Sequence, residues 1–398
     1  MVAAVAWLGV IGWCTLQSNP GAAIAVARLP WYCVVCGDGG AADVALNILL
    51  FAPLGFILAA LRWRKWGAVL FALLLSISIE VFQSKMLIGR DACVGDVLSN
   101  TTGALAGWLG YFGMSALARP SLQFARAGTA LLLAVTTGLW FASGAALQPS
   151  LTNDAQWVGQ PTAPGRGPQP FPGTMLSATF DGIEMIEGEV PQAPWRDSIV
   201  VELHTTRKTG ELFQRGIVLL RVVDMNDAME LAIDERGDDA WLMLRLRGAD
   251  WLLHNPRWQV SHAMQVNGGE PWRFRWSWLR DRFSIVNEPL AGPPAPPIAV
   301  PLSIGLGWAF VHPFVNTIGT NRLLWTTAWL GFWFGLLGWL AGALSPRVTI
   351  GTGIVSLAIY AGVSHWWGMP VQLTEMAAAA GAFAVLGIVS WARTRLSS

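Results

Sequence analysis

A chain of 398 residues that is 53% hydrophobic and only 13% charged, with a mean hydropathy of +0.45, reads as an integral membrane protein, because soluble domains carry about 25% charged residues. A net charge of +1 argues against nucleic acid as a partner, since such binding rests on an excess of basic side chains. Four cysteines are too few for a disulfide scaffold. The 23 tryptophans suit the two interfacial belts of a bilayer.

In chain order, the first apolar run is Val2 to Leu16. It lacks a basic leader and a small-residue cleavage site, so it is expected to be a retained helix rather than a signal peptide. A polar segment from Gln17 to Ala42 follows and contains Cys33-Val-Val-Cys36. Further runs are Asp43 to Leu61, Gly67 to Phe82, Cys93 to Gly113 and Gly128 to Leu147. The composition turns polar from Gln148 to about Asn321, and three runs close the chain: Leu323 to Leu344, Val348 to Trp367 and Val371 to Trp391. The expected fold is a polytopic α-helical membrane protein of about eight spans with an all-β insert. Its parts are residues 1–147 (five spans, with a motif region at 43–113), 148–321 (the insert) and 322–398 (three spans).

Short-loop charges give the orientation. Arg62, Arg64, Lys65, Arg119, Arg126, Arg347, Arg393 and Arg395 fall on one side if there are eight spans. The positive-inside rule makes that side, and both termini, cytoplasmic. The CxxC loop, the Gln83 to Asp96 connection and residues 148–321 are then extracytoplasmic on the inner (plasma) membrane.

That placement gathers unusual residues at the outer helix ends. Asp43 and Asn47 are one turn apart on the second run, Glu80 and Gln83 close the third, and Asp96 and Asn100 open the fourth. Arg90 and Asp91 lie in the connection between the last two. At 1.5 Å per residue, Asn47 and Asn100 sit roughly 6 Å deeper than their acidic neighbours. Charges against hydrocarbon cost roughly 2.5–3.5 kcal/mol on insertion scales and usually pair inside the bundle. The eight residues therefore form a candidate ligand-binding cluster near the outer leaflet.

The pattern Asn47-x3-Phe51-x-Pro53-Leu54-Gly55-Phe56, Ser78-x-Glu80-x2-Gln83, Arg90 and Asp96-Val97-Leu98-x-Asn100-x2-Gly103-Ala104 resembles the VanZ-like family over about Val5 to Gly113. Gly95, just before Asp96, departs from it, because a bulkier residue is expected there. The resemblance implies an association with reduced susceptibility to glycopeptide antibiotics, teicoplanin in particular, but no biochemical activity.

Three readings of the cluster stay open: an ion-pair network that fixes helix packing, with Asp96 also capping its helix; a site for a polar headgroup or glycan; and acid–base work on a phosphate ester by Glu80, Asp96 and Arg90. No His, Ser nucleophile or metal-ligand set is read beside the carboxylates, which argues against catalysis. Pro53 lies mid-helix, where proline usually kinks the chain. Gly103, Gly107 and Gly110 form a small-residue face for close helix contact. Cys33 and Cys36 are the disulfide candidates, structural because a thioredoxin-type βαβ context is missing. Cys14 and Cys93 read as buried apolar residues.

The insert alternates apolar and polar residues in Ser198–His204, Gly216–Val223, Met229–Asp234, Trp241–Arg247, Arg273–Trp278 and Arg282–Asn287, separated by turn residues, which indicates a sandwich. The order of these strands resembles the concanavalin A-like, LamG-type jelly roll over Met175 to about Thr320. That resemblance implies Ala299 to Val315 as a returning strand and allows sugar binding by Trp195, Trp251, Trp258 and Trp272, although Trp276 and Trp278 on one strand face suit a core. Asp234-Glu-Arg-Gly-Asp-Asp reads as a solvated hairpin tip, with a calcium site as the alternative. The histidines show no metal-ligand spacing, and neither a metal nor another cofactor is expected. The sequence thus points to an envelope protein whose partners are membrane lipids, a glycan or polyprenyl-linked glycan, and proteins of the envelope polysaccharide machinery. The alternatives are a lipid-phosphate or glycan transferase and a non-catalytic scaffold.

Overall fold

The computed structural model describes residues 1–16, 31–37, 39–87, 93–118, 120–151, 156–158, 169–170, 174–185, 198–206, 217–223, 229–264, 271–312, 317–319 and 321–396. Its long helices are α1 (Val2–Thr15), α2 (Gly40–Ala60), α3 (Lys65–Met86), α4 (Val94–Ala118) and α5 (Leu122–Ala146) before the insert. After it come α7 (Arg322–Gly342), α8 (Pro346–Trp366) and α9 (Leu373–Leu396), while α6 (Arg247–Asp250) is a single turn inside the insert. Each of the eight apolar runs is a helix.

Six of them, α2, α3, α5, α7, α8 and α9, are long and apolar enough to cross a membrane. At 14 residues, α1 is about 21 Å long, short of a hydrocarbon core of about 30 Å. The polar run Ser99-Asn100-Thr101-Thr102 and the glycines of α4 lower its hydropathy. Leu49, Leu74, Leu131, Phe332, Ile354 and Ile388 are exposed on the helices, as the lipid-facing surface of a multi-pass membrane protein requires.

Glycine sets the closest helix contacts. A Cβ on Gly103 would fall 2.3 Å from the Ile48 carbonyl oxygen, and one on Gly107 would fall 1.7 Å from that of Ala52. These contacts keep α2 and α4 parallel and side by side. The pair α7 and α9 repeats the arrangement, with Gly338 against the Phe383 backbone and Gly342 against that of Gly387. Gly110, by contrast, would meet nothing within 4 Å and belongs to the open face, not the packed one.

The contacts also fix direction. The C-terminal ends of α1 and α3 meet where Gln83 Nε2 donates to the Thr15 carbonyl (2.8 Å). In α3 and α4, which run antiparallel, Asn100 donates to Ser76 (2.9 Å). At the opposite end of the bundle, Trp339 Nε1 of α7 donates to the Leu117 carbonyl of α4 (2.8 Å). The C-terminal ends of α1, α3, α5 and α8 thus share one face with the N-terminal ends of α2, α4, α7 and α9. The other face carries Arg62, Arg64, Lys65, Arg126, Arg347, Arg393 and Arg395. There Lys65 lies over Trp66, and Arg395 over Trp391. Lys85 stands at the first face, near the end of α3.

The insert is a two-sheet β-sandwich. One sheet has the order β1 (Gln156–Val158), β6 (Ile217–Val223), β7 (Met229–Arg236), β8 (Asp239–Leu244), β9 (Arg257–Val260) and β13 (Thr317–Ile318), with β2 (Gln169–Pro170) also on β6. The other runs β12 (Ile298–Pro301), β11 (Arg282–Pro289), β10 (Pro271–Leu279), β5 (Ser198–Thr206), β3 (Thr174–Phe180) and β4 (Ile183–Glu184). Pairing is antiparallel except for β13 on β9 and β2 on β6. Strict alternation on β10 turns Trp272, Phe274, Trp276 and Trp278 inward. Trp278 stacks on Phe283, and Trp258 meets both edge-on.

Two expectations are corrected here. The segment read as a returning strand is β12 followed by a 3-10 helix, Ile304–Phe310, all of it buried. The apolar run has no alternation because every side of it is covered. Nor is the acidic run wholly solvated. Asp234 and Glu235 are buried within β7 and only Gly237-Asp238 turn the hairpin; burial holds the Asp234 carboxyl above its usual range despite Arg221, Arg257 and Arg236 nearby.

The 304–310 helix wedges the sandwich onto the bundle. Trp308 Nε1 donates to Thr326 of α7 (3.0 Å), and a Cβ on Gly307 would fall 2.2 Å from Ser143 Oγ of α5. Just before the helix, Ser303 Oγ donates to Glu375 Oε1 of α9 (2.5 Å), while Tyr360 of α8 donates to Oε2 (2.7 Å). Both oxygens of a carboxyl group that is 2% exposed are hydrogen-bonded, as buried polar groups need.

Gly107→Leu forces α2 and α4 apart and is expected to lose thermal stability by at least the ~1–3 kcal/mol of an overpacked core. Gly110→Leu is expected to melt with the wild type. Detergent-solubilised melting curves of both variants check this pairing.

Candidate functional site

The polar residues singled out in the sequence converge from three helices on the face that carries the sandwich. Asn47 of α2 donates to Asp96 Oδ1 of α4 at 2.7 Å. One turn deeper, Asn100 Nδ2 donates to Ser76 Oγ of α3. Glu80 Oε2 accepts from the backbone N–H of Cys93 at 2.9 Å. Glu80, Gln83, Ser76 and Asn100 are all buried, and the Asn100 carbonyl oxygen, fully buried, has no hydrogen-bond partner among the described residues. An orphaned buried acceptor costs about 1–3 kcal/mol.

The other members of the expected cluster go elsewhere. Gln83 ties α3 to the end of α1. Asp43 is exposed and turns out toward the sandwich, where His254 Nε2 stands 3.3 Å from its Oδ1. The Ala41 N–H also bonds the Leu252 carbonyl there (2.9 Å). Arg90 and Asp91 lie outside the described residues, as does Trp195.

Over this cluster lies the loop 31–37. The Trp31 and Cys33 carbonyls accept from the N–H groups of Val94 and Gly95 (2.9 and 3.0 Å), so the loop satisfies first-turn donors that a helix cannot pair internally. Cys33 and Cys36 are joined in a disulfide. The glycine at position 95, unexpected in the sequence, has a steric cause: a Cβ there would fall 2.0 Å from the Val34 carbonyl oxygen.

Residues 15–117 match the family model described as VanZ-LLP1, VanZ/LLP1. This part of the chain is VanZ-like. The match spans roughly a quarter of the sequence and contains the polar cluster. The sandwich meets this part through Asp43 and His254. No curated protein and no solved structure matches the chain.

The aromatic candidates divide. Trp258 and Trp272 are interior, 1% and 0% exposed, because they sit on the inward positions of β9 and β10. Neither can stack on a sugar. Trp251, 41% exposed after α6, remains on the surface. Among the described residues no group of three or more His, Cys, Asp or Glu has metal-holding geometry.

Sequence reasoning passed over Ser76, His254 and Glu375, and it read Cys14 and Cys93 as buried, whereas both are half-buried. Ser76 could have been found as the residue one turn before Glu80 on the same helix face. Glu375 carried the clearest signal, a lone acid entering an apolar run at the third position of its helix, as Asp96 does in α4.

Gly95→Val is expected to push the loop off α4 without touching Asn47, Asp96 or Asn100. Hydrogen exchange at the Val94 amide and at residue 95, slow in the wild type, is expected to quicken at least tenfold.

Proposed function

We propose that the chain is an eight-span protein of the cell envelope, in the inner (plasma) membrane with both termini cytoplasmic and residues 148–321 outside. It binds the hydroxyl-rich headgroup of a glycan or lipid-linked glycan precursor at the outer leaflet. On this reading α4 crosses shielded by its close pairing with α2, and the short α1 crosses where the bilayer thins around it. The up-down alternation and the basic end opposite the sandwich support it. The division at 147/148 and 321/322 belongs to the same proposal.

The observation that carries the ligand class is the unpartnered carbonyl oxygen of Asn100, beside Ser76 and the Asn47–Asp96 pair. Carboxylates and an amide oxygen accept hydrogen bonds from hydroxyl or amine donors, the groups that sugars present. Glycan precursors of this kind lie in the chemistry that glycopeptide antibiotics intercept, which is how the pocket would bear on susceptibility. A transferase using Glu80, Asp96 and Arg90 is the weaker reading. Glu80 already accepts from a backbone amide and Asp96 from Asn47. A scaffold for envelope polysaccharide proteins needs no pocket at all.

Native mass spectrometry of gently extracted protein, wild type beside Asn100→Leu and Arg90→Ala, tests the reading. A lipid-linked sugar retained by the wild type and lost from Asn100→Leu is the expected result. A folded wild type that carries none, and gains none when polyprenyl-linked disaccharide is added, overturns ligand binding and leaves the scaffold.

A further inference from the structure

The CxxC loop and the first turn of α4 bring a third sulfur to the disulfide. Cys93 Sγ stands 2.6 Å from Cys36 Sγ and 3.1 Å from the Cys33 carbonyl oxygen. The approach is held by backbone: Val94 and Gly95, the next two residues, bond the Trp31 and Cys33 carbonyls, and the Cys93 N–H itself is fixed by Glu80. A structural disulfide needs no thiol beside it. Among the described residues the three sulfurs make no metal-holding group with their neighbours, so the chemistry left to them is that of sulfur with sulfur.

We propose that Cys33, Cys36 and Cys93 form a thiol–disulfide exchange site at the mouth of the VanZ-like pocket. The Cys93 thiolate attacks Cys36 Sγ; the Cys36–Cys93 bond forms as the Cys33–Cys36 bond breaks. The electron pair leaves on Cys33 Sγ, which takes up the proton that Cys93 gave. The step is an isomerisation: one disulfide and one thiol enter, one disulfide and one thiol leave, and no oxidant or reductant is consumed. It moves the free thiol from the pocket to the loop, where Trp31, Tyr32, Val34 and Val35 are exposed.

The groups facing Cys93 set its pace. Burial raises its thiol above the usual range, the N–H groups of Asp96 and Gly95 pull it back, and the carboxylates of Asp96 and Glu80 raise it further. Only the thiolate attacks, so below the thiol's pKa the exchange rate rises about tenfold per pH unit. The structure holds the Cys33–Cys36 isomer, and the raised thiol slows its conversion. Since the Cys93 N–H also donates to Glu80 and Cys93 precedes Asp96, a Cys36–Cys93 bond ties the loop covalently to the element that positions both carboxylates.

The test uses full-length protein, quenched in acid, alkylated and mapped by peptide mass spectrometry after incubation between pH 6 and pH 9. The expected result is Cys33–Cys36 with alkylated Cys93 at low pH, and Cys36–Cys93 with alkylated Cys33 appearing faster as pH rises. Glu80→Gln is expected to speed the appearance at a given pH. Cys33→Ser is expected to hold Cys36–Cys93 as its sole linkage among these residues, and Cys93→Ser to show Cys33–Cys36 at every pH. The proposal is overturned if the wild type keeps a single linkage with unreacted Cys93 throughout, or if Cys14 enters the linkage in place of Cys93. The wild type carries the decisive readout, so the test stands even where a variant fails to fold. The outcome is also independent of whether the pocket binds a glycan.

Discussion

Polar groups carried into an apolar bundle have to be partnered where water is scarce, and this requirement shapes the molecule. An unpaired buried polar group costs far more than a made hydrogen bond returns. The buried acids and amides meet it at the end that carries the sandwich. There Asn47 holds Asp96, Asn100 holds Ser76, and Glu80 takes a backbone N–H. Glu375 takes Ser303 and Tyr360. The last of these pairings reaches outside the helices, which is why the sandwich cannot be regarded as a separate appendage.

The two halves of the bundle solve the packing problem alike. In each, the first and third helices run parallel at a distance only glycine allows, and an antiparallel helix lies between them in sequence. In each, the third helix brings an acid in its first turn, Asp96 or Glu375. What differs is the lid. Over the first half it is the disulfide-bearing loop 31–37; over the second it is the buried 304–310 helix. In the second half both oxygens of the acid are paired. The first keeps an orphaned acceptor and a third sulfur, and for that reason it is where binding and chemistry are proposed.

Much of this architecture was legible in the sequence. Eight apolar runs became eight helices, and six alternating segments became strands, because the two periodicities are direct consequences of side-chain direction. The convergence of Asn47, Glu80, Asp96 and Asn100 was legible too, since polar residues at the ends of apolar runs stand out. Its wiring was not. Asp43 turns to His254, 211 residues away, and Gln83 to α1; nothing local encodes such pairings. Trp258 and Trp272 misled because an aromatic on a strand looks the same whether its face is core or surface. The 304–310 helix misled because it is buried on all sides and so lacks any period. Gly95 looked anomalous until its neighbour Val34 was placed.

The central claim is that the polar helix ends, the loop and the sandwich share one side of the membrane, opposite the basic end. It is tested most directly with short epitope tags inserted at Gly237-Asp238, the β7–β8 turn, and between Arg62 and Arg64. Antibody binding would be compared on right-side-out and inverted vesicles. The account predicts that the first tag is reached only in right-side-out vesicles and the second only in inverted ones. Both tags reached from the same side, or the two reversed, would contradict it.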